Sequence, residues 1–390
     1  MAYSSEKLRE KLSAALAGRT LNRVLLLPPD ATRTHSYAGV ITRMLFSILD
    51  CKIDVMPALG THEPMSKREC DDFLGIPFDT IINHDWRNDV VKLGEVPGDF
   101  VSSVSEGLVT SSVDVEVNRR LLDKSYDLII SVGQVVPHEV VGMANYSKNI
   151  FVGCGGSAMI SASHMLGAYY GIERTLGRTD TPVRKVFDYA EENFIADLPI
   201  LYILTVTQGL ELCELFIGRS RKQFEDAAVL SREKNLTFVD KPLKKCFVNL
   251  DEHEFKSTWL GNKAIYRTRM AMADGGELVI LAPGVTKFGE DKDIDALIRK
   301  YGYCGREKVI ALSRANKDLQ ENLSAAAHMI HGSTDGRFTV TYAADKLSRE
   351  EVEGVGFKYM PLDEARALKD TGDLYIENPA VGLWALKGSF

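Results

Sequence analysis

Short runs of leucine, isoleucine and valine alternate along this chain with longer segments whose apolar residues recur at helical spacing, and this alternation limits the fold more than any other feature. The run Arg-Val-Leu-Leu-Leu-Pro at 23–28 has almost no polar face, so as a strand it must be covered on both sides. Runs of the same kind lie at 53–59, 126–133 and 198–207. Helical patterns fill the gaps at 36–50 and 181–194, the second opening on Thr181 as N-cap and Pro182 as first residue. A stretch rich in proline and charge at 237–255 interrupts the pattern, and a second set begins beyond it. Its expected strands are 277–285, 308–312 and 338–344, separated by helical segments at 292–302, 318–330 and 348–356. The expectation is an α/β protein: two α/β domains, residues 1–240 and 241–390, with mostly parallel sheets and the active site in the cleft between them. The last segment, from residue 373, has the composition to pack on either domain.

Composition narrows the function class. With 45% hydrophobic and 26% charged residues among 390, the chain has enough apolar material for folded domains. A net charge of -7 supplies no field to gather nucleic acid or anionic membrane, so neither is expected as a partner. A small-molecule substrate is. Residues 1–18 carry alternating charges and no long apolar run, the pattern of an amphipathic helix and not of a signal peptide. No apolar stretch reaches the roughly 18 residues that span a bilayer. The six cysteines are scattered without Cys-x-x-Cys spacing, which argues against a zinc ribbon, an iron–sulfur cluster or a disulfide framework. A cytoplasmic, reducing environment is expected; a homo-oligomer is left open.

Four polar clusters follow expected strands, where open α/β sheets gather their chemistry. In "PPDATRTHS" at 28–36, Asp30 and Thr32 have the character of a helix cap, and free N–H groups beside Arg33 would suit an anion. The bland alternative is an ordinary cap with a surface arginine. In "LGTHEPMS" at 59–66, a turn at Gly60 presents His62, as base, as ligand or as an idle surface residue. The third cluster runs from Pro137–His138 through Lys148 and the glycines of "GCGGSA" to His164, which enters a helix. Lys148 in a glycine-rich loop suits a salt bridge to phosphate or a covalent bond through its amine. "GCGGSA" has neither the Walker nor the dinucleotide fingerprint. In the fourth cluster, "AAAHMIHGSTDGRFTVTY" at 325–342, His328 and His331 share a helix face, with Ser333, Asp335 and Arg337 in the turn beyond. These suit polar substrate contacts, a weak two-histidine metal site, or plain structure.

The order "DATR", "GTH", "PH", "SK" and "SH" resembles the nickel-pincer-nucleotide-dependent lactate racemase family, whose pattern runs DxTR, GTH, PHxxxG, a lysine and a final histidine. The intervals from His138 to Lys148 and on to His164 match those of the family. The resemblance covers the first domain well and the second loosely. It implies that residues 1–240 bind the cofactor and carry catalysis, and that 241–390 form a substrate and closure domain. Lys148 would hold the pyridinium nucleotide covalently through a thioamide, and His164 would be the protein ligand to nickel. His62 and His138 would be the acid/base pair on opposite faces of the substrate, with Asp30, Thr32 and Arg33 near nucleotide and substrate anion. The implied reaction inverts C2 of a 2-hydroxy acid by reversible hydride transfer, which avoids removing a weakly acidic C2 proton. A sulfur-rich donor set with one imidazole also suits nickel.

The second domain departs from the family. Its segment GGxPxDxxxYQxxK aligns with 313–328, where Asp318 is kept but the glutamine and lysine fall near Leu323 and Ala326. His328, His331, Ser333, Asp335 and Arg337 stand nearby instead. This set, with the resemblance of 282–303 and 331–338 to a sugar-acid epimerase branch, implies an epimerase of the D-gluconate/D-mannonate type. The alternative within the family is a racemase of lactate or another short or aromatic 2-hydroxy acid. Outside it stand a zinc-dependent hydratase using His62, His138 and His164, which leaves Lys148 without a task, and a protein that only binds the nucleotide.

Overall fold

A computed structural model describes residues 3–379 and 382–390, which fall into two compact units. One comprises the residues up to Ser163 together with Leu176–Lys234; the other comprises His164–Thr175 and Asn235–Phe390.

The first unit is built on a sheet of five strands: β1 (Arg23–Leu27), β2 (Lys52–Val55), β3 (Leu128–Gln134), β4 (Ile200–Gln208) and β5 (Glu211–Gly218). Their order is β2-β1-β3-β4-β5; the first four are parallel and β5 runs antiparallel to β4. Every residue of β3 and all but the last of β4 are buried, as the uninterrupted apolar runs require of a sheet covered on both faces. Leu8, Leu12 and Leu16 of α1 (Ser5–Leu16) and Ile41 and Leu45 of α2 (Ala38–Ile48) join one core with Leu26, Ile130 and Ile203. The strand order places β2 on one side of β1 and β3 on the other. The connections therefore reverse direction between β1 and β3, and the loops leaving the carboxyl ends of these two strands open a crevice.

Two further helices matter to the site. The first, α3 (Ser157–Tyr170), begins in the first unit and ends in the second. The second, α4 (Pro182–Phe194), starts as expected, with Thr181 Oγ1 accepting the Arg184 N–H and Pro182 in the first turn.

The second unit holds five parallel strands, β6 (Leu243–Asn249), β7 (Met272–Leu281), β8 (Thr339–Ala343), β9 (Lys358–Met360) and β10 (Leu374–Ile376), in the order β9-β8-β7-β6-β10. Two expectations fail here. Residues 308–312 are not a strand but the middle of α5 (Arg306–Ala315), because Val309 and Ser313, four apart, are its buried positions; a five-residue apolar run carries no length signal to separate helix from strand. Conversely β6, an inner strand, lies inside the charged stretch at 237–255. Lys244 is exposed and Lys245 half-buried at its opening, while Cys246, Phe247 and Val248 are buried. The final segment pairs within the second unit: β10 with β6, and Leu383–Leu386 with Leu236–Val239.

Candidate active site

Pro28 and Pro29 end β1, and the chain turns into the short helix Ala31–Ser36. Asp30 caps it, accepting the Thr32 N–H at 2.8 Å. The other N–H groups of this turn are spent within the protein: Ala31 N–H points to Met65 Sδ at 3.1 Å and Arg33 N–H to the Asp30 carbonyl at 3.1 Å. The cradle of free N–H groups expected here is therefore absent. What remains for an anion is the exposed guanidinium of Arg33. The turn is fixed from β4, whose Thr205 and Thr207 hydroxyls donate to the carbonyls of Ser36 and His35 at 2.7 Å and 3.0 Å.

The second oxygen of Asp30 has a different task. After β2 the chain makes a left-handed turn at Gly60, φ 58°, whose N–H donates to the Gly153 carbonyl. The return brings His62 Nδ1 to 2.7 Å from Asp30 Oδ2. Asp30 is buried and His62 half-exposed. Burial alone would raise the Asp30 pKa, but the hydrogen bonds from His62 and Thr32 bring it down to about 2. An ionised Asp30 accepts a hydrogen bond from His62 Nδ1–H, which in the neutral imidazole leaves the lone pair on Nε2; the tautomer follows from the hydrogen-bond pattern.

His138 is arranged the opposite way. It sits in a two-residue antiparallel ladder, Pro137–His138 against Gly142–Met143, just beyond β3. The Val140 N–H donates to its Nδ1 at 3.1 Å. A neutral imidazole so held carries its proton on Nε2, so of the two histidines one offers a lone pair and the other an N–H.

Lys148 follows from this ladder. Asn145 and Tyr146 are left-handed, with φ of 66° and 59°, and Lys148 opens a five-residue π-helix, Asn149–Gly153, where a glycine loop was expected. Asn149 pins the turn over the crevice, donating from Nδ2 to the Leu27 carbonyl of β1 at 3.1 Å and to Ser131 Oγ of β3 at 2.8 Å. The half-buried Lys148 amine has its pKa lowered to about 8, first by desolvation and then by the charges of Arg33 and Arg184, against the opposing pull of Glu139 and Asp30. Gly155 is required by space: a Cβ there would stand 1.9 Å from the Phe151 carbonyl oxygen. Its own carbonyl accepts from buried His84 at 3.0 Å.

Residues 6–174 match the family described as the lactate racemase N-terminal domain, a span that holds every residue of these three clusters. That match spans less than half of the chain, so it is the first part of the chain that is similar to the lactate racemase N-terminal domain. Two solved structures share its fold over nearly its full length. One is a protein from Thermotoga maritima, 25% identical with a TM-score of 0.82, covering 98% of each chain. The other is the lactate racemase apoprotein from Thermoanaerobacterium thermosaccharolyticum, 16% identical with a TM-score of 0.73, covering 97% of this chain and 92% of that one. The curated proteins give no significant match.

His164 lies on α3, partly exposed, as the first residue of that helix to group with the second unit. The start of α3 is capped by Glu116, whose carboxylate accepts the Ala158 N–H at 3.1 Å. The fourth cluster lies wholly in the second unit. His328 and His331 are buried on α6 (Leu323–Gly332). His328 Nε2 meets the Tyr303 hydroxyl at 2.9 Å, its ring packs on Trp259, and burial lowers its pKa to about 3, so it is neutral at physiological pH. Ser333 Oγ donates to the Met329 carbonyl, Asp335 accepts the Arg306 N–H, and Arg337 bridges Asp274 and Glu173. These contacts hold the second unit together.

Sequence reasoning assigned Asp30 to the nucleotide and gave no task to Asn149 or Arg184. Only one of these had a signal: Arg184 is a charge set among the apolar positions Val183, Val186 and Phe187 of its helix.

Proposed function

We propose that the chain is an isomerase that inverts C2 of a 2-hydroxy acid with a nickel-pincer nucleotide tethered to Lys148. The observation that carries this reading is the placing of Lys148, by Asn149, over the crevice between β1 and β3, in the same unit as the Asp30–His62 pair and His138. A reversal point of this kind is where an open α/β sheet holds a mononucleotide. The residues fit the group: a half-buried amine of lowered pKa serves as tether, and Arg33 offers a cation to phosphate or carboxylate. His164 would give one imidazole to nickel, the remaining donors belonging to the cofactor. When bound, the group supplies a hydride acceptor.

The chain's own residues then handle the protons. His62, with Nε2 unprotonated and its charge stabilised by Asp30, takes the hydroxyl proton from one enantiomer, and His138 presents an N–H to the oxygen of the other. Two histidines held in different tautomers, one offering a lone pair and the other an N–H, suit an inversion, since the hydroxyl changes side between the enantiomers. The substrate we propose is a polyhydroxylated acid of the gluconate type, on the strength of the second-domain sequence; a short hydroxy acid is the alternative. The zinc-hydratase reading leaves Lys148 without a task.

The test is intact-mass analysis of the protein and of Lys148→Ala from a host that makes the cofactor, with racemisation of gluconate-type acids and lactate assayed in parallel. An adduct on the wild type alone, with inversion at C2 and no solvent deuterium incorporated there, is expected. An unmodified wild type from that host refutes the tether.

A further inference from the structure

The tether loop rests on a cation that no sequence motif marks. Arg184, on α4, is fully buried, and its guanidinium points at the segment preceding Lys148. Nη1 donates to Ser147 Oγ at 2.8 Å, and Nη2 donates to the carbonyls of Met143 at 2.7 Å and Asn145 at 3.2 Å. These acceptors span the two left-handed residues that turn the chain into Lys148, so one planar fork fixes both sides of a strained turn. The guanidinium packs over the Phe224 ring at 4.4 Å, and its Nε has no hydrogen-bond partner. The nearby carboxylate of Asp188 is engaged by Arg221, and no carboxylate bonds to Arg184 among the described residues. The guanidinium is hydrogen-bonded only to neutral oxygens, and the charge of nearby Asp188 offsets part of its field. Burial lowers its pKa only to about 10, so it is charged at neutral pH.

We propose that Arg184 is the positioning residue of the Lys148 site: its guanidinium holds the 143–147 turn in place and, as a buried charge beside that turn, opposes a second cation at Lys148, enlarging the fraction of that amine that is unprotonated and nucleophilic. The charged groups that face Lys148 are Arg33 and Asp30 from the loop after β1, Glu139 from the ladder beyond β3, and Arg184 from α4. Of the two arginines, the exposed Arg33 has the larger effect on Lys148, whereas the buried Arg184 adds to it and also holds the turn. What the amine holds rests on the function proposed above; its reactivity does not.

The experiment measures the rate at which trinitrobenzenesulfonate labels Lys148 as a function of pH, read by peptide mass mapping on protein from a host without the cofactor. Wild type is compared with Arg184→Met, Arg184→Lys and Ser147→Ala, each checked for folding by near-UV circular dichroism. Arg184→Met is expected to raise the labelling midpoint by about 0.3 pH unit, which slows labelling at pH 7 about twofold. Arg184→Lys keeps the charge and the low midpoint. Ser147→Ala, the variant least able to disturb folding, keeps the midpoint too but loses one hold on the turn, and lowers adduct occupancy in a cofactor-making host. An unshifted midpoint in Arg184→Met, or full occupancy in Ser147→Ala, overturns the proposal. A wild type that shows the Arg184-dependent midpoint yet never carries an adduct supports the role of Arg184 and refutes the tether instead.

Discussion

Replacing Lys148 by methionine is expected to stabilise the protein while abolishing the tether. In an unfolded chain a lysine titrates near 10.4, whereas Lys148 in the folded protein titrates at about 8. Below pH 8 the amine is protonated in both states, and folding then bears the full cost of confining an ammonium beside Arg33 and Arg184. Between pH 8 and about 10.4 the unfolded chain binds more protons than the folded one, so stability rises with pH; above that both states are neutral and the cost is gone. A gap of roughly two units or more sets the cost at up to about 3 kcal/mol. Methionine keeps the length of the stem without the charge. Lys148→Met should therefore gain up to about 3 kcal/mol at pH 7 and lose most of that gain by pH 10.5. Thermal unfolding of protein made without the cofactor is the assay, and a gain of this size corresponds to a rise of several degrees. Equal stability of the two proteins at pH 7, or a gain that is the same at pH 7 and 10.5, would refute the reasoning, because either result means that the amine is not held against its charge.

Asp30→Asn keeps the shape of the carboxylate but cannot hold the proton on His62 Nδ1; a loss of about 10² to 10⁴ in turnover with little change in KM is expected in steady-state assays. The same variant should flatten the fall in stability between about pH 4 and 2, since a carboxylate whose pKa is depressed to about 2 contributes above its unfolded value and loses that contribution as acid protonates it. His62→Ala and His138→Ala should each abolish inversion and leave the mass adduct on Lys148 intact; loss of the adduct would show that these histidines serve loading and not catalysis. Gly155→Ala forces a Cβ against the Phe151 carbonyl and should cost on the order of 2 kcal/mol or more in thermal unfolding, with reduced adduct occupancy.

Much of the first unit was legible because its signals are local. A run such as 23–27 is buried on both faces whatever lies around it, so β1 and the helices between the strands follow from composition and period alone. The clusters at strand ends were legible for the same reason, as were the intervals between His138, Lys148 and His164. Errors came where local signals are degenerate. The five residues at 308–312 are equally apolar as strand or helix, and only the burial of Val309 with Ser313 decides for α5. In β6 the opening lysines conceal a strand in which Cys246, Phe247 and Val248 are buried.

The sequence by itself determined which side chains are candidates for chemistry and roughly where along the sheet they emerge, because period and spacing act over a few residues. The tertiary structure decided what each one does. Asp30 and His62 lie 32 residues apart, and Arg184 lies 37 residues beyond Ser147. A histidine is set up as a base when a buried carboxylate accepts a hydrogen bond from its Nδ1–H, and a lysine becomes more nucleophilic when desolvation and a neighbouring cation disfavour its charge. Both effects depend on distance and burial in three dimensions, and neither is written in the residue itself.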